Sequence, residues 1–399
     1  MEWQGMAPWI YSVRRPQDEP PQTFPAGMAS RVRYLPEESE LGEEFRWLKR
    51  CDRLPEPLRA DEQRLKGGRD KARIQEAGWL GGQMKLAGVG HVHTHFAGLA
   101  ARTAYWLHRH YGIGYSFTAH ANDVFCPPDP GLSLTLEELI GAARFVVAVS
   151  DFGAAQLRER FPKSADKIFR VYNGIDVEAF PPAHPAANGP RIVAVGRYIE
   201  KKGFDDLIAA CTRLRDRRVD FECQIVGEGP LEGVLQAAID RADLRAQVTL
   251  TGPKSIAEVA ALLGTARVFA LPCVVEADGG MDNLPTVIAE AMAAGLPVVS
   301  TTLAGVPEMV ADGHTGLLVP PRSPEKLAGA LARMLTEPGV AAAFGKAGHH
   351  RARELFAVRN TVRQLKRLLL EKTTIELGRA VWRKDPALLW RHWRRARAF

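Results

Sequence analysis

Two stretches in the second half of the chain bring together side chains suited to holding a phosphate. The first, Gly196-Arg197-Tyr198-Ile199-Glu200-Lys201-Lys202-Gly203-Phe204, leaves an apolar run and enters an amphipathic one. Cations and glycines between a strand and a helix N-terminus supply positive charge, N–H donors and close backbone approach. A solvated basic loop with a turn glycine would read the same way, so the stretch alone decides nothing. The second runs from Glu276 through Gly279, Gly280, Asp282, Asn283, Leu284, Pro285 and Thr286 to Glu290. Its Gly-Gly pair precedes a helix with Pro285 near the first helical position, where the missing N–H costs nothing. The exposed N–H groups and positive end of such a helix suit a diphosphate that gains charge as its sugar departs.

Glu290 stands in an otherwise small and apolar helix, Ile288-Ala289-Glu290-Ala291-Met292-Ala293-Ala294. A carboxylate there can accept both hydroxyl protons of a ribose diol; the alternative is a charge at the solvent edge of the helix. His120, in Thr118-Ala119-His120-Ala121-Asn122-Asp123, ends an apolar run and puts an imidazole at a strand end, facing a cleft or satisfied locally. His93 and His95 share one face of a strand, but no third ligand of metal-site spacing stands nearby. The chain has no Asp-x-Asp triplet, the usual carboxylate anchor for a divalent ion on a nucleotide diphosphate. The expectation is no metal and no cofactor, with Arg197, Lys202 and the helix end neutralising the phosphates.

Such residues must be positioned by a scaffold, and the hydropathy pattern supplies one. After Gly88 short apolar runs alternate with longer helical stretches, the pattern of a parallel α/β sheet. Strands are predicted at 91–94, 115–119, 145–149 and 168–171, with helices at 99–111, 134–143 and 152–161. Residues 176–190, with four prolines, read as a linker. A second series follows, with strands at 192–196, 221–226, 248–252, 268–271 and 298–300 and a helix at 204–215. Two doubly wound domains leave a cleft, and ligands belong beyond the carboxyl ends of the strands. Before residue 85 prolines break the pattern, and only a short strand at 9–13 and charged helices after Glu37 are predicted.

The chain has 399 residues, 46% hydrophobic and 25% charged, enough for two cores. Its net charge of +7 is not spread over the molecule: from Arg359 onward twelve Lys/Arg face three Asp/Glu, and the rest is slightly acidic. A nucleic-acid binder would carry its basic surface on the folded domains, so that class is excluded. Five widely spaced cysteines, with no C-x-x-C pair, read as reduced thiols. No apolar run approaches the roughly 20 residues of a membrane span, so the expected location is cytoplasmic. The tail, 379–399, mixes Trp382, Trp390 and Trp393 with arginines. It suits peripheral contact with an anionic membrane, or a helix packed across the domains.

Several motifs occur in an order that resembles the retaining glycosyltransferases of family 4. They are His91-Val92-His93-Thr94-His95-Phe96, Thr118 to Asp123, Val149-Ser150-Asp151-Phe152, Tyr172-Asn173-Gly174-Ile175-Asp176, Gly196 to Gly203, and Asp282 to Glu290. The resemblance covers about 91–356 and implies the GT-B fold, two Rossmann-like domains facing a cleft. On that basis the chain divides into an acceptor-side domain at 1–175, the linker at 176–190, a donor-binding domain at 191–356 and a C-terminal helix and tail at 357–399. The resemblance implies that Arg197 and Lys202 bind the donor diphosphate, that Glu290 binds the ribose, and that His120 contacts the transferred sugar. Gly279, Gly280, Asn283, Leu284, Pro285 and Thr286 fall in the same donor segment.

Two departures accompany the resemblance. Where the family carries a glutamate eight residues before the ribose carboxylate, this chain has Asp282, one methylene shorter. The variant Gly279-Gly280-Met281-Asp282-Asn283-Leu284-Pro285 is similar to a branch associated with exopolysaccharides such as colanic acid. The family's opening strand and Gly-rich loop have no counterpart before Gly5, so the N-terminal domain is expected to be incomplete at its start. The implied activity is transfer of a sugar from a UDP- or GDP-sugar to a saccharide or lipid-linked acceptor hydroxyl with retention. Its rivals are a sugar-nucleotide epimerase on the same fold and an inactive nucleotide-sugar-binding module.

Overall fold

In the computed structural model, residues 9–12, 32–65, 70–126 and 131–373 are described. The 379–399 tail, most of the segment from Gly5 to Pro16 and their expected roles lie outside them. Strands β1 (Ile10–Ser12) and β2 (Val32–Tyr34) form a small parallel pair. Next come the helices Glu38–Arg50, Glu56–Arg64 and Asp70–Leu86, the charged helices expected after Glu37. The first bears Leu41, Phe45 and Leu48 on its buried side, at the i, i+4, i+7 spacing of an amphipathic helix.

The first main sheet is parallel, with order β3 (His91–His95), β4 (Gly114–Ala119), β5 (Val146–Ala148), β6 (Ile168–Arg170). All six residues of β4 are buried, as expected of a strand covered on both faces by crossover helices. The second comprises β7 (Arg191–Val195), β8 (Glu222–Val226), β9 (Val248–Leu250), β10 (Val268–Leu271), β11 (Val298–Thr301) and β12 (Gly316–Val319). Their order is β12-β11-β10-β7-β8-β9, parallel throughout. The sequence pattern had located every main strand but β12, a four-residue run only half buried along its middle.

The chain moves from β7 outward to β8 and β9, then returns to the other side of β7 as β10. The loops leaving β7 and β10 therefore part in opposite directions, and a crevice opens at the carboxyl ends of these two neighbours. Those two loops are the ones that carry the candidate phosphate residues.

Residues of the 176–190 linker pack on the second sheet's core through Val177, Phe180 and Ala183, and Ala183 N–H bonds to Ala294 O at 2.7 Å. The chain crosses back near where it left: Ile175 N–H bonds to Phe356 O at 2.8 Å, and Val358 N–H to Ile175 O at 2.9 Å. The helix Val358–Lys372 then lies on the first sheet, Leu368 and Leu369 packing with Phe145, Val147 and Val171. Among the described residues, no helix is long and apolar enough to cross a membrane.

Candidate active site

The loop after β7 is anchored by Tyr198, fully buried, whose hydroxyl donates to Ile225 O at 2.9 Å. Burial pushes this phenol up to about 12, so it stays a neutral donor. Flanking it, Arg197 is exposed and its side chain makes no ion pair or hydrogen bond among the described residues, whereas Lys202 turns inward. Gly196 makes that turn possible: a Cβ there would press on Lys202 Cδ at 3.2 Å. Gly203 closes the loop in left-handed geometry, φ +66°, and a Cβ there would run into the carbonyl oxygen of Pro272. The loops after β7 and β10 thus touch backbone to backbone.

The loop after β10 turns tightly at the Gly-Gly pair. Glu276 N–H bonds to Gly280 O at 2.8 Å, Gly279 N–H to Glu276 O at 2.9 Å, and Gly280 N–H to the Asp278 carboxylate at 2.8 Å. Gly279 has φ +88°, conformational space that L residues avoid. Two residues on, Asp282 Oδ2 meets Lys202 Nζ at 2.5 Å, with each side chain 14% exposed. An ammonium and a carboxylate eighty positions apart are thereby joined at the crevice.

Further pairs brace the two loops. Lys201 O accepts from Val274 N–H at 3.0 Å, the Lys201 ammonium faces Glu276 at 4.0 Å, and Arg322 links Glu200 at 2.6 Å to Val275 O at 3.2 Å. Glu200 and Glu276 fall inside the two stretches read from the sequence, without their bracing pairs, and Arg322 was missed. Arg322 comes from beyond β12, and nothing in the local sequence ties it to a loop more than a hundred residues away.

The helix expected after Pro285 is Thr286–Ala293, with Pro285 as the residue before the first turn rather than within it. No side chain caps it, so its first N–H groups are unpaired by the helix itself. Leu284 and Pro285 are buried, Thr286 is exposed and Glu290 half-buried. Burial pushes the Glu290 carboxyl above its ordinary range, and the side chain has no hydrogen-bond or ion-pair partner among the described residues. Asn283 faces elsewhere: its Oδ1 accepts from Ser150 Oγ at 2.5 Å across to the first sheet. From the same side of the second sheet, Glu308 accepts the Asp151 and Phe152 N–H groups, both at 2.7 Å, at the start of helix Asp151–Arg160. The motif Val149-Ser150-Asp151-Phe152 is therefore where the first sheet docks on the second.

His120 lies at the carboxyl end of β4 and opens the short helix Ala121–Phe125, its N–H bonded to Asp123 Oδ2 at 2.8 Å. Its Nε2 is 3.2 Å from His95 Nδ1. Burial, with His95 as the lesser cause, lowers His120 to about 4, so both imidazoles are neutral near pH 7. Behind them Ser116 Oγ bridges His91 and His93 at 2.8 Å each, and His93 reaches Thr118 Oγ1 at 3.0 Å. His91 and His93 are committed to hydroxyl partners, and no group of three or more metal-binding side chains occurs among the described residues. At the far end of His120's helix, burial raises the Cys126 thiol, with Asp278 and Lys201 the next influences.

Comparison with known proteins matches the two halves separately. The family described as "Glycosyltransferase Family 4" matches residues 36–179, and "Glycosyl transferases group 1" matches 189–337. A putative colanic acid biosynthesis glycosyltransferase, WcaL of Escherichia coli (strain K12), is 37% identical over 199 residues, 49% of this chain and 48% of that protein. The amylovoran biosynthesis glycosyltransferase AmsK of Erwinia amylovora is 40% identical over 172 residues, 43% of this chain and 42% of that one. These matches span about half the length of the relatives concerned. A GDP-mannose-dependent alpha-(1-6)-phosphatidylinositol monomannoside mannosyltransferase of Mycolicibacterium smegmatis is 31% identical over 328 residues, 79% of this chain and 81% of that protein.

Among solved structures, a glycosyltransferase from Rickettsia africae ESF-5 superposes with a TM-score of 0.64 at 21% identity, covering 75% of this chain and 81% of that one. Anabaena HepE in complex with UDP and glucose gives 0.60 at 18% identity, covering 73% and 81%. At such identities these two structures bear on the fold alone.

Proposed function

Since the chain belongs to glycosyltransferase family 4 and has the GT-B fold, we propose that it transfers a sugar from a UDP- or GDP-sugar to a saccharide or lipid-linked acceptor hydroxyl in polysaccharide assembly. The observation that carries this reading is the meeting of Lys202 and Asp282 at the β7/β10 crevice, 2.5 Å apart. Asp282 aims the ammonium at the place where the diphosphate would bind. Arg197, exposed on the same loop, and the uncapped start of helix Thr286–Ala293 add charge and N–H donors.

Glu290, desolvated and unpaired among the described residues, receives the ribose diol, which can supply the two hydroxyl protons its carboxylate lacks. His120, neutral by burial, offers an N–H or a lone pair to hydroxyls of the transferred sugar, and Asp282 contacts the same sugar with its second oxygen. As the bond from the anomeric carbon to the diphosphate breaks, the electron pair goes to the phosphate oxygen. Lys202 and Arg197 then hold more charge than they did in the ground state, which is what accelerates the step. The acceptor oxygen attacks from the face the diphosphate leaves and passes its proton to the departing phosphate, with retention and without a metal. The 379–399 tail, rich in Trp and Arg, would hold the enzyme near a lipid-linked acceptor.

The test pairs ligand-induced stabilisation with turnover. UDP or GDP at about 100 times its dissociation constant adds about 2.7 kcal/mol of stability to a protein that binds it only when folded. Lys202→Ala removes a charge-assisted contact worth about 2 kcal/mol or more at the leaving group, roughly a thirtyfold loss in turnover. Stabilisation and turnover unchanged in that variant would sink the assignment. Isomerised nucleotide-sugar appearing without any acceptor would move it to the epimerase class.

A further inference from the structure

Phe96 immediately follows β3 and is out of place for a residue that only fills space. It is 49% exposed, whereas most large apolar side chains among the described residues are buried or partly buried, and its backbone sits at φ +66°. That left-handed region is a genuine outlier for a bulky residue and persists only where the surroundings over-determine it. Here they do. Phe96 N–H is bound to Thr118 O at 2.8 Å. One carboxylate then ties the two strand ends together: Asp123 Oδ1 accepts Ala97 N–H at 3.0 Å and Oδ2 accepts His120 N–H at 2.8 Å.

This frame delivers the Phe96 ring to one place. Its centroid lies 4.3 Å from that of His120, inclined by 34°, and His120 is in turn stacked beside His95 at 5.4 Å. The carboxyl ends of β3 and β4 therefore present a half-exposed phenyl face edged by two neutral imidazoles. That combination matches a pyranose, whose C–H face packs on an aromatic ring while its hydroxyls need donors and acceptors that carry no net charge. A diphosphate would find no cation in this pair of strand ends. A buried core contact would not leave half the ring in solvent.

We propose that Phe96 is the stacking platform for the acceptor's sugar ring, set beside His120 by the Asp123 clamp so that an acceptor hydroxyl is presented to the reaction centre. The proposal rests on the donor-site reading above, which places the nucleotide on the opposite sheet. Phe96→Gly separates binding from folding, because glycine adopts φ +66° without strain. A residue held for stability would lower the melting temperature when removed, whereas a platform held under strain would leave it unchanged or raised.

The experiment uses the full chain with UDP or GDP present, and saturation-transfer NMR on three probes: methyl α-D-mannopyranoside, methyl β-D-glucopyranoside and methyl β-D-galactopyranoside. The expected result is transfer to the ring C–H protons of at least one glycoside in the unaltered protein. Binding should be about tenfold weaker in Phe96→Gly and retained in Phe96→Trp, with the melting temperature of the glycine variant not lowered. Undiminished transfer in Phe96→Gly overturns the proposal. So does the absence of transfer from all three probes in the unaltered protein, or a loss of transfer in step with a lowered melting temperature. The nucleotide shift read in the same samples keeps the two readings apart. Platform-dependent glycoside signals without stabilisation by either nucleotide would remove the donor site and leave the platform.

Discussion

The two sides of the cleft are built from different chemistry. On the second sheet, the ends of β7 and β10 gather Arg197, Lys202, Asp282 and, one helix on, Glu290, a set of formal charges braced by the ion pairs of Glu200, Glu276 and Arg322. On the first sheet, the ends of β3 and β4 gather His95, His120 and Phe96, held by backbone hydrogen bonds and one carboxylate, with His120 kept neutral by burial. Fixed charge suits a ligand whose own charge grows as its bond breaks. Neutral donors beside an aromatic face suit a polyol, for which a buried charge would only add desolvation cost.

The sharpest way to break this contrast is at Lys202. Lys202→Ala should cost roughly thirtyfold in turnover and most of the stabilisation by nucleoside diphosphate, while glycoside binding on the opposite sheet stays as it was. Loss of both together, measured by NMR and thermal shift on one sample, would mean that the sides do not act separately.

Glu290→Gln comes next. Removing a desolvated carboxylate that lacks a partner among the described residues should stabilise the free protein by about 1 kcal/mol. It should also weaken UDP or GDP binding by about tenfold through the lost ribose contact. A variant that is less stable and binds as before would give Glu290 a structural role.

The neutral side has its own signature in acid. Burial lowers His91 and His120 to about 4 and His93 to about 3, each below the ordinary value near 6.5. Between those values the unfolded chain binds more protons than the folded one, so stability is complete above pH 6.5 and falls as pH drops toward 4. Thermal melts across that window should show the fall, and His93→Gln should lessen it while His91 and His120 keep the remainder. A flat profile in the unaltered protein would contradict neutral burial of these imidazoles.

The smallest expected effect lies where the two sides dock. Glu308→Ala leaves the Asp151 and Phe152 N–H groups without their carboxylate and should cost about 1 kcal/mol in thermal stability, with nucleotide binding unchanged. Gly153→Ala tests the same contact from the other face, since its Cβ would press on Asn283 Nδ2 at 2.6 Å.

Much of the proposed donor side was legible because its requirements are local. A phosphate-gripping loop needs cations and glycines within a few residues of a strand end and a helix start, and the stretch from Gly196 to Gly203 displays them in one window. The alternation of apolar runs and helical stretches likewise revealed both sheets, since a parallel strand between crossover helices is apolar on both faces. Phe96 shows the opposite case. Its residue type announces nothing, and its left-handed backbone and contact with His120 are held by Thr118 of the next strand and Asp123 of the helix that follows it.

By itself the sequence singled out the residues proposed to bind phosphate, ribose and sugar, and determined that two α/β layers would carry them. The tertiary structure alone decided that Lys202 would meet Asp282, that Asn283 would turn to Ser150, and that Glu308 would cap a helix of the other half. It also decided that the chain's helix Val358–Lys372 would return to the first sheet. The reason is the strand order β12-β11-β10-β7-β8-β9: placing β10 beside β7 joins loops some eighty positions apart, and that adjacency comes from the packing of whole sheets rather than from any local pattern.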